Sequence, residues 1–167
     1  MCGFVGFTNY INDDGVLLGS MMDKIVHRGP DAAGSYVDSD IALGFRRLSI
    51  IDLEGGNQPM FNEDGTLVLV FNGEIYNYKQ LREELAELGH TFSTNADSEV
   101  VLHGFEAWGS EVVNRLRGMF AFVIYNKDDK SIFGARDMFG IKPFYYTIKN
   151  GNFIFASEIK AIFDKCY

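Results

Sequence analysis

The chain has 167 residues, a length at which a single domain can bury a substantial hydrophobic core. Hydrophobic residues make up 47% of the sequence and charged residues 23%, which is typical of globular proteins and argues against a disordered chain. The net charge of −8, without any block of Lys or Arg, argues against nucleic acid or an anionic membrane surface as a partner.

Cysteine usage and the apolar segments indicate the compartment. The two cysteines, Cys2 and Cys166, lie at opposite ends of the chain, so they form neither a disulfide framework nor the paired spacing of a zinc site. The N-terminus lacks the basic region of a signal peptide. The longest apolar run, MFAFVIY, is far shorter than the roughly 20 residues that span a bilayer. We therefore expect a cytoplasmic protein without a membrane segment or a metal site.

The predicted elements are mostly strands. Seven short segments are rich in aromatic and β-branched residues and are bounded by turn residues, which predicts β-strands. In chain order they are CGFVGF, IALGF, TLVLVF, GMFAFVIY, SIFGA, PFYYTI and NFIFA. The Asn150-Gly151 pair predicts a hairpin with a type I′ turn, and IYNKDDKSIF predicts a second hairpin. Tight turns between neighbouring strands imply antiparallel pairing.

Four helices are predicted between and after these strands. The clearest is NYKQLREELAELG, in which Asn77 is suited to cap the first turn together with Gln80, and Gly89 to end the helix. Its apolar stripe is formed by Leu81, Leu85 and Leu88. The other helices are expected near residues 17–26, 97–108 and 157–163. Because several strands are apolar on both faces, we expect an α+β domain of two packed sheets covered by helices.

Cys2 has two interpretations. A cysteine in an apolar strand is usually a packing residue. As a nucleophile it would react as the thiolate and would need a base. One candidate is a histidine, although the spacing of His27, His90 and His103 shows no recognisable partner. The other is the α-amino group of Cys2 itself, with a pKa of about 7.7–8.0, which removal of Met1 would free.

Polar residues are concentrated in four stretches that flank the predicted elements. These are HRGPDAAG (27–34), RRLSIID (46–52), FNGEIYN (71–77) and NADSEV (95–100). Asn72 and the Gly73 N–H could stabilise an oxyanion, although Asn-Gly is also a common turn. Arg47 could bind a carboxylate, or it could be a solvated surface residue. Glu74 and Asp97 could hold an ammonium, although Asp97 also suits a helix N-cap and Glu74 the surface. Together these groups fit an α-amino acid.

Six motifs, in this order, carry a family resemblance: MCG, HRGPD, RRLSIID, FNGEIYNY, DSEV and ARDMFGIKPFYY. Over essentially its whole length the chain resembles the glutaminase domain of class II glutamine amidotransferases, which are N-terminal-nucleophile hydrolases, and in particular that of asparagine synthetases. The resemblance implies a four-layer αββα sandwich of two mainly antiparallel sheets. It also implies an enzyme that hydrolyses the side-chain amide of L-glutamine to glutamate and ammonia, without a cofactor in this domain.

The resemblance further implies residue roles. Cys2, freed by the loss of Met1, matches the nucleophile that forms a thioester with the substrate. Asn72 and the Gly73 N–H match the oxyanion hole. The positions that match the glutamine-binding residues are Arg47 for the α-carboxylate, Glu74 and Asp97 for the α-ammonium, and Leu48 and Ile50 for the pocket wall.

Two loop motifs carry further details of the family pattern. Met138 stands where relatives often have Pro, which should affect only a loop. In HRGPD we expect Arg28 and Asp31 to hold their loop rather than to contact substrate.

We expect residues 1–167 to be the glutaminase domain alone, because no Gly-rich pyrophosphate-binding loop is present. ATP and Mg would then belong to an absent synthetase domain. That domain is the expected partner, using the ammonia for asparagine synthesis from aspartate. The alternatives are another ammonia acceptor and a non-catalytic glutamine-binding module.

Overall fold

The computed structural model describes residues 2–9, 14–48 and 56–166, and these residues form nine strands and five α-helices. No helix in these segments is long and apolar enough to cross a membrane. In chain order the elements are β1 (Gly3–Thr8), α1 (Asp14–Lys24), β2 (Ala32–Val37), β3 (Ile41–Arg47), β4 (Met60–Phe61), β5 (Leu67–Ile75), α2 (Tyr78–Glu87), α3 (Ser98–Trp108), α4 (Val112–Arg115), β6 (Gly118–Asn126), β7 (Ile132–Arg136), β8 (Tyr145–Lys149), β9 (Asn152–Ala156) and α5 (Ile159–Cys166).

The strands form two antiparallel sheets. The first has the strand order β2-β3-β1-β9-β8, and the second has the order β4-β5-β6-β7. In the first sheet, Gly3 at the start of β1 lies opposite Arg46 near the end of β3. This register brings Cys2, which directly precedes β1, to the same end of the sheet as Arg47. In the second sheet, β5 pairs with β6 along its whole length.

Three apolar layers show that the architecture is a four-layer sandwich. The layer between the sheets contains Phe4 and Phe155 of the first sheet and Val70 of the second. Helices α2, α3 and α4 pack on the outer face of β5 and β6, and α1 and α5 pack on the outer face of β1 and β9. Since neighbouring strand residues point to opposite faces, a strand covered on both sides is apolar throughout. The predicted αββα sandwich of antiparallel sheets is therefore confirmed.

The seven predicted strands are all present, and two strands were not predicted. β2 begins within the polar HRGPDAAG stretch and lies at the edge of the first sheet, where half-buried residues alternate with exposed ones. β4 has only two residues. The hairpin between β8 and β9 is confirmed, because Asn150 and Gly151 have φ values of 53° and 78°, the two positive values that a type I′ turn requires.

Two details predicted for α2 are wrong. Asn77 occupies the N-cap position, but its side chain makes no capping bond. Its amide instead donates to the Arg115 carbonyl (3.0 Å) and accepts from the Arg117 N–H (2.9 Å), which ties α2 to the chain that leaves α4. Leu88 is 61% exposed, so the apolar stripe ends at Leu85. The tertiary contact of Asn77 replaces the local cap that the sequence pattern indicates.

Candidate active site

A pocket lies at the end of the sandwich where β1 begins, β3 ends and α3 begins. Its lining contains a thiol, a guanidinium and two carboxylates, which come from both sheets and from the residue before α3. The lining residues are Cys2, Phe45, Arg47, Leu48, Gly56, Gln58, Phe71, Gly73, Glu74, Ala96, Asp97 and Ser98. Residues far apart in the chain therefore meet only in the folded sandwich.

Cys2 is half-buried and is held through both its thiol and its backbone. Its Sγ accepts a hydrogen bond from the Leu48 N–H (3.4 Å) and donates one to the Leu48 carbonyl (3.5 Å). The Cys2 carbonyl accepts a hydrogen bond from Arg28 Nε (3.0 Å). Because an N–H donor stabilises a negatively charged sulfur, Leu48 can support the reactive thiolate.

One edge of β5 directs backbone N–H groups toward this pocket. The Phe71 N–H donates to Gln58 Oε1, and the Ile75 N–H donates to Asp97 Oδ2 (2.7 Å). Successive N–H groups of a strand point to alternate sides, so the Gly73 N–H points to the same side as these two. It therefore lies between Gln58 and Asp97, which both line the pocket.

Gly73 also satisfies a steric requirement of the second sheet. A Cβ atom at this position would lie 2.5 Å from the Met119 carbonyl oxygen and 2.8 Å from Phe120 Cα, which are both backbone atoms of β6. Any other residue would push β5 away from β6. The glycine thus keeps the N–H edge of β5 at its place beside the pocket.

Asn72 lies next to Gly73 on β5, and its side chain enters the layer between the sheets. Strand alternation places it on the same face as Val68 and Val70, and Cys2 packs against this same layer. Asn72 is 1% exposed, and its Nδ2 has no hydrogen-bond partner among the described residues. A buried amide without a partner is unfavourable, so this donor is available to a group that enters from the pocket.

The charged residues that line the pocket are one arginine and two carboxylates. Arg47 is 6% exposed, and its Nη1 donates to Asn57 Oδ1 (3.1 Å). Burial raises the pKa of Asp97, and the Glu74 carboxylate raises it further, while the Ile75 N–H acts in the opposite direction. A cation placed beside these two neighbouring carboxylates would stabilise their negative charge. The pocket therefore offers one cationic and one anionic position.

The structure brings most of the sequence-predicted site residues together. The predicted residues that line the pocket are Cys2, Arg47, Leu48, Gly73, Glu74 and Asp97. Asn72 is not among the lining residues but is buried next to Gly73 on β5, whereas Ile50 and Met1 lie outside the described residues. The described lining includes none of the three histidines, so a histidine base for Cys2 has no structural support.

The whole chain, residues 1–167, matches the family model described as a glutamine amidotransferase domain. The chain belongs to the glutamine amidotransferase domain family. Glutamine-hydrolysing asparagine synthetase 1 of Bacillus subtilis (strain 168) is 52% identical to it, over 97% of this chain and 26% of that protein. A probable glutamine-hydrolysing asparagine synthetase of Dictyostelium discoideum is 45% identical, over 100% of this chain and 31% of that protein. The chain thus spans between a quarter and a third of the length of these relatives.

Solved structures support the fold of this amidotransferase domain. Glutamine phosphoribosylpyrophosphate amidotransferase from B. subtilis, complexed with ADP and GMP, superimposes with a TM-score of 0.78 and 21% identity, over 96% of this chain and 42% of that chain. A structure described as the allosteric regulatory enzyme of purine biosynthesis has a TM-score of 0.80 and 22% identity, over 98% and 43% of the two chains. At such identities the likeness concerns the fold.

The HRGPD motif of the amidotransferase domain holds the N-terminal strand. Arg28, which donates to the Cys2 carbonyl, also donates from Nη1 to Glu158 Oε1 (3.1 Å). The Asp31 N–H donates to the Arg47 carbonyl (3.0 Å). Both residues therefore connect their loop to backbone atoms of pocket residues. Glu158, which follows β9, was not predicted as a site residue, because a single glutamate before a short helix carries no recognisable signal.

Gln58 is a pocket residue that sequence reasoning did not identify. Its amide accepts from the Phe71 N–H and donates to the Phe71 carbonyl (3.1 Å), so one side chain replaces a paired strand at this edge of β5. Gln58 precedes β4 by two residues and lines the pocket. No local pattern distinguishes such a glutamine from a surface residue. The structural feature that requires it is the edge of β5 beyond Leu69, where pairing with β4 ends.

Replacing Glu158 with Gln is expected to lower the free energy of unfolding at pH 7 by about 1–3 kcal/mol. Partial burial opposes ionisation of Glu158, but Arg28, His27 and Lys160 outweigh it and lower the pKa of Glu158 from 4.5 to about 2. Since the folded-state pKa is depressed, this stabilisation is complete above about pH 4.5 and is lost as the pH falls toward 2. Urea unfolding between pH 7 and pH 3 should show the difference between the two proteins shrinking with acidification.

The exposed Glu83 provides the control for Glu158. Glu83→Gln should change the unfolding free energy by less than about 0.5 kcal/mol at any of these pH values. A Glu158→Gln effect that is independent of pH would contradict the role given to the ionised carboxylate.

Proposed function

We propose that this amidotransferase domain hydrolyses the side-chain amide of L-glutamine to glutamate and ammonia through a thioester on Cys2. The observation that carries the proposal is the convergence of five groups at one pocket: the Cys2 thiol, the Arg47 guanidinium, the Glu74 and Asp97 carboxylates, and the Gly73 N–H. Membership of the glutamine amidotransferase domain family supports the same activity.

The charged groups of the pocket fit the main-chain end of glutamine. Arg47 can hold the α-carboxylate through paired N–H···O bonds, and its burial strengthens that interaction. Glu74 and Asp97 can hold the α-ammonium, whose positive charge relieves the repulsion that raises the pKa of Asp97. Leu48, and by resemblance Ile50, would form the wall beside the substrate side chain.

The reaction begins once Met1 is removed, because the Cys2 amine is then free to act as a base. The amine takes the thiol proton while the sulfur attacks the amide carbon, and the carbonyl oxygen becomes an oxyanion. The Gly73 N–H and Asn72 Nδ2 stabilise that oxyanion. As the C–N bond breaks, the proton passes to the departing nitrogen, which leaves as ammonia. Water then attacks the thioester to give glutamate and the free thiol.

Steady-state release of ammonia and glutamate from glutamine tests this function, on protein whose N-terminus is verified by mass as Cys2. We expect the wild-type protein to be active and Arg47→Gln to raise KM for glutamine by at least about 30-fold, with a smaller change in kcat. The reason is that truncating one partner of a buried charge pair costs about 2–5 kcal/mol.

Arg46 is the matched control, because it precedes Arg47 on β3 and its side chain points to the other face of the sheet. Its guanidinium donates to Asp23 and to the Met22 carbonyl on α1. Arg46→Gln should leave KM unchanged. A processed wild-type protein that releases no ammonia from glutamine would overturn the function, and equal KM values for both variants would overturn the assignment of Arg47.

In the longer proteins we propose that the ammonia serves asparagine synthesis from aspartate in the cytoplasm. The identities of 52% and 45% to glutamine-hydrolysing asparagine synthetases support this acceptor. The partner would be a synthetase portion, and ATP and Mg would belong to that portion.

An exposed apolar surface after β7 supports a protein partner. Met138 is 92% exposed, Phe139 84% and Ile141 56%. Asp137 holds this loop by accepting from the Phe139 and Ile141 N–H groups.

A further inference from the structure

Two histidines and two glutamates meet on the helix side of the second sheet, away from the pocket. We call Glu63, His90, His103 and Glu106 the histidine–glutamate cluster. Glu63 belongs to the turn between β4 and β5, His90 follows α2, and the other two lie three residues apart on α3. His103 is six residues beyond Asp97, which corresponds to about 9 Å along the helix axis. The cluster is therefore separate from the glutamine pocket.

The ligand atoms of the histidine–glutamate cluster lie close enough together to surround one metal ion. His90 Nδ1 lies 3.3 Å from Glu63 Oε1 and 3.8 Å from Glu106 Oε2. His103 Nδ1 lies 3.1 Å from Glu63 Oε2 and 3.7 Å from Glu106 Oε2. Zinc bonds of about 2.0–2.2 Å imply distances of about 3.3–3.6 Å between neighbouring ligand atoms. All four residues offer one ligand atom within 4.8 Å of the others.

His103 supplies a second, independent observation. It is 1% exposed, and neither of its ring nitrogens makes a hydrogen bond of acceptable geometry within the described residues. Its Nδ1 faces the cluster, while its Nε2 faces the Glu99 carboxylate at 3.6 Å. A metal-bound histidine commonly directs its other nitrogen toward a carboxylate, which fixes the tautomer that binds the metal.

Glu99 is itself held firmly in this outer position. Its carboxylate accepts from the backbone N–H groups and from the hydroxyls of both Ser93 and Thr94. Glu99 is 3% exposed, so it stays in place beside His103 with little competition from water. The arrangement therefore has an inner set of four ligand atoms and an anchored carboxylate behind one ligand.

We propose that the histidine–glutamate cluster binds one divalent transition-metal ion of the zinc type, which joins α3 to the β4–β5 turn and to the segment after α2. Two imidazole nitrogens and two carboxylate oxygens suit Zn²⁺, whereas Mg²⁺ and Ca²⁺ prefer oxygen ligands alone. The three carboxylates Glu63, Glu99 and Glu106 face two imidazoles, and a divalent ion offsets this excess of negative charge. Four protein ligands leave no open position, which is typical of a structural site.

Zinc binding to the purified, tag-free protein tests the proposal. After treatment with a chelator, the protein is titrated with Zn²⁺, and bound metal is counted by mass spectrometry of the dialysed sample. We expect one tightly bound ion per chain and a rise in Tm of about 5–10 °C at about 100-fold excess over Kd. Mg²⁺ and Ca²⁺ at the same concentration should produce neither effect.

Variants separate this site from other zinc ligands. His90→Ala should weaken zinc binding by at least about 10-fold, and so should the milder Glu106→Gln, which changes a partly exposed side chain and keeps the fold. His27→Ala is the matched histidine control, and Cys2→Ser excludes the thiol as the ligand; both should retain one ion. A wild-type protein that retains no zinc, or cluster variants that bind as tightly as His27→Ala, would overturn the proposal.

Discussion

Replacing Cys2 with alanine is expected to reduce glutamine hydrolysis by at least about 10⁴-fold without unfolding the protein. Removal of an activated nucleophile eliminates the covalent step, and losses of this size are typical of other acyl-transfer enzymes. The fold should persist because Cys2 lies before β1 and is only half-buried. Ammonia release measures the activity, and the free energy of unfolding checks the fold.

The same experiment identifies the reactive atom. A glutamine-like electrophile should attach one label to the N-terminal peptide of the wild-type protein, detected by mass. It should attach none to that of Cys2→Ala. Cys166→Ala is the matched control, since it removes the other cysteine of the chain and should keep both activity and labelling. Undiminished turnover by Cys2→Ala would remove the thioester from the proposal.

A retained Met1 has a separate and recognisable signature. While Met1 is present, the α-nitrogen of Cys2 is part of a peptide bond and cannot act as a base. Such protein should be inactive although its Cys2 thiol and its pocket are unchanged, and the intact mass distinguishes it from the processed form. Inactive protein that begins with Cys2 would count against the mechanism, whereas inactive protein that begins with Met1 is what the mechanism requires.

The strands were predictable from sequence because their signals are local. Short apolar segments ended by turn residues mark β1, β3 and β5 to β9, and the Asn150-Gly151 pair marks a turn that depends on two adjacent residues. Strands β2 and β4 carry weaker signals. β2 is a half-exposed edge strand that begins inside a polar motif, and β4 is defined only by its pairing with β5. Tertiary pairing, rather than local preference, creates these two.

Side-chain partners were harder to predict than elements. The local rules assign both Asn77 and Asp97 to helix caps, but neither side chain makes a capping bond. Asn77 binds the chain after α4, and Asp97 accepts from the Ile75 N–H. In both cases the side chain bonds to a distant backbone group and not to the nearby helix terminus. The bond from the Ile75 N–H orients the Asp97 carboxylate at the pocket.

The candidate site shows the same division. The sequence alone showed charged residues that can bind an amino acid, namely Arg47, Glu74 and Asp97. The family resemblance indicated their roles. Arg28 was expected to hold its loop, but its partner was not visible, because Glu158 lies 130 residues away in the chain. Such long-range contacts leave no periodic pattern in a single sequence, so only the folded chain reveals them.

Replacing Asn72 with alanine is expected to reduce kcat for glutamine hydrolysis by about 10²–10³-fold, with little change in KM. This is the usual effect of removing one oxyanion-hole donor, because the hydrogen bond strengthens only as negative charge develops on the oxygen. The unfolding free energy should fall by no more than about 1 kcal/mol, since Asn72 Nδ2 has no hydrogen-bond partner in the described chain to lose.

Asn62, in the turn between β4 and β5, provides the opposite case. It is also buried, at 6% exposure, but its amide is satisfied: it accepts from the Leu67 N–H (2.9 Å) and donates to Thr66 Oγ1 (3.3 Å). Asn62→Ala should therefore lower the unfolding free energy by about 1–3 kcal/mol and leave kcat unchanged. If instead Asn72→Ala destabilises the protein and retains its kcat, the unpartnered amide serves packing, and the Gly73 N–H must stabilise the oxyanion without it.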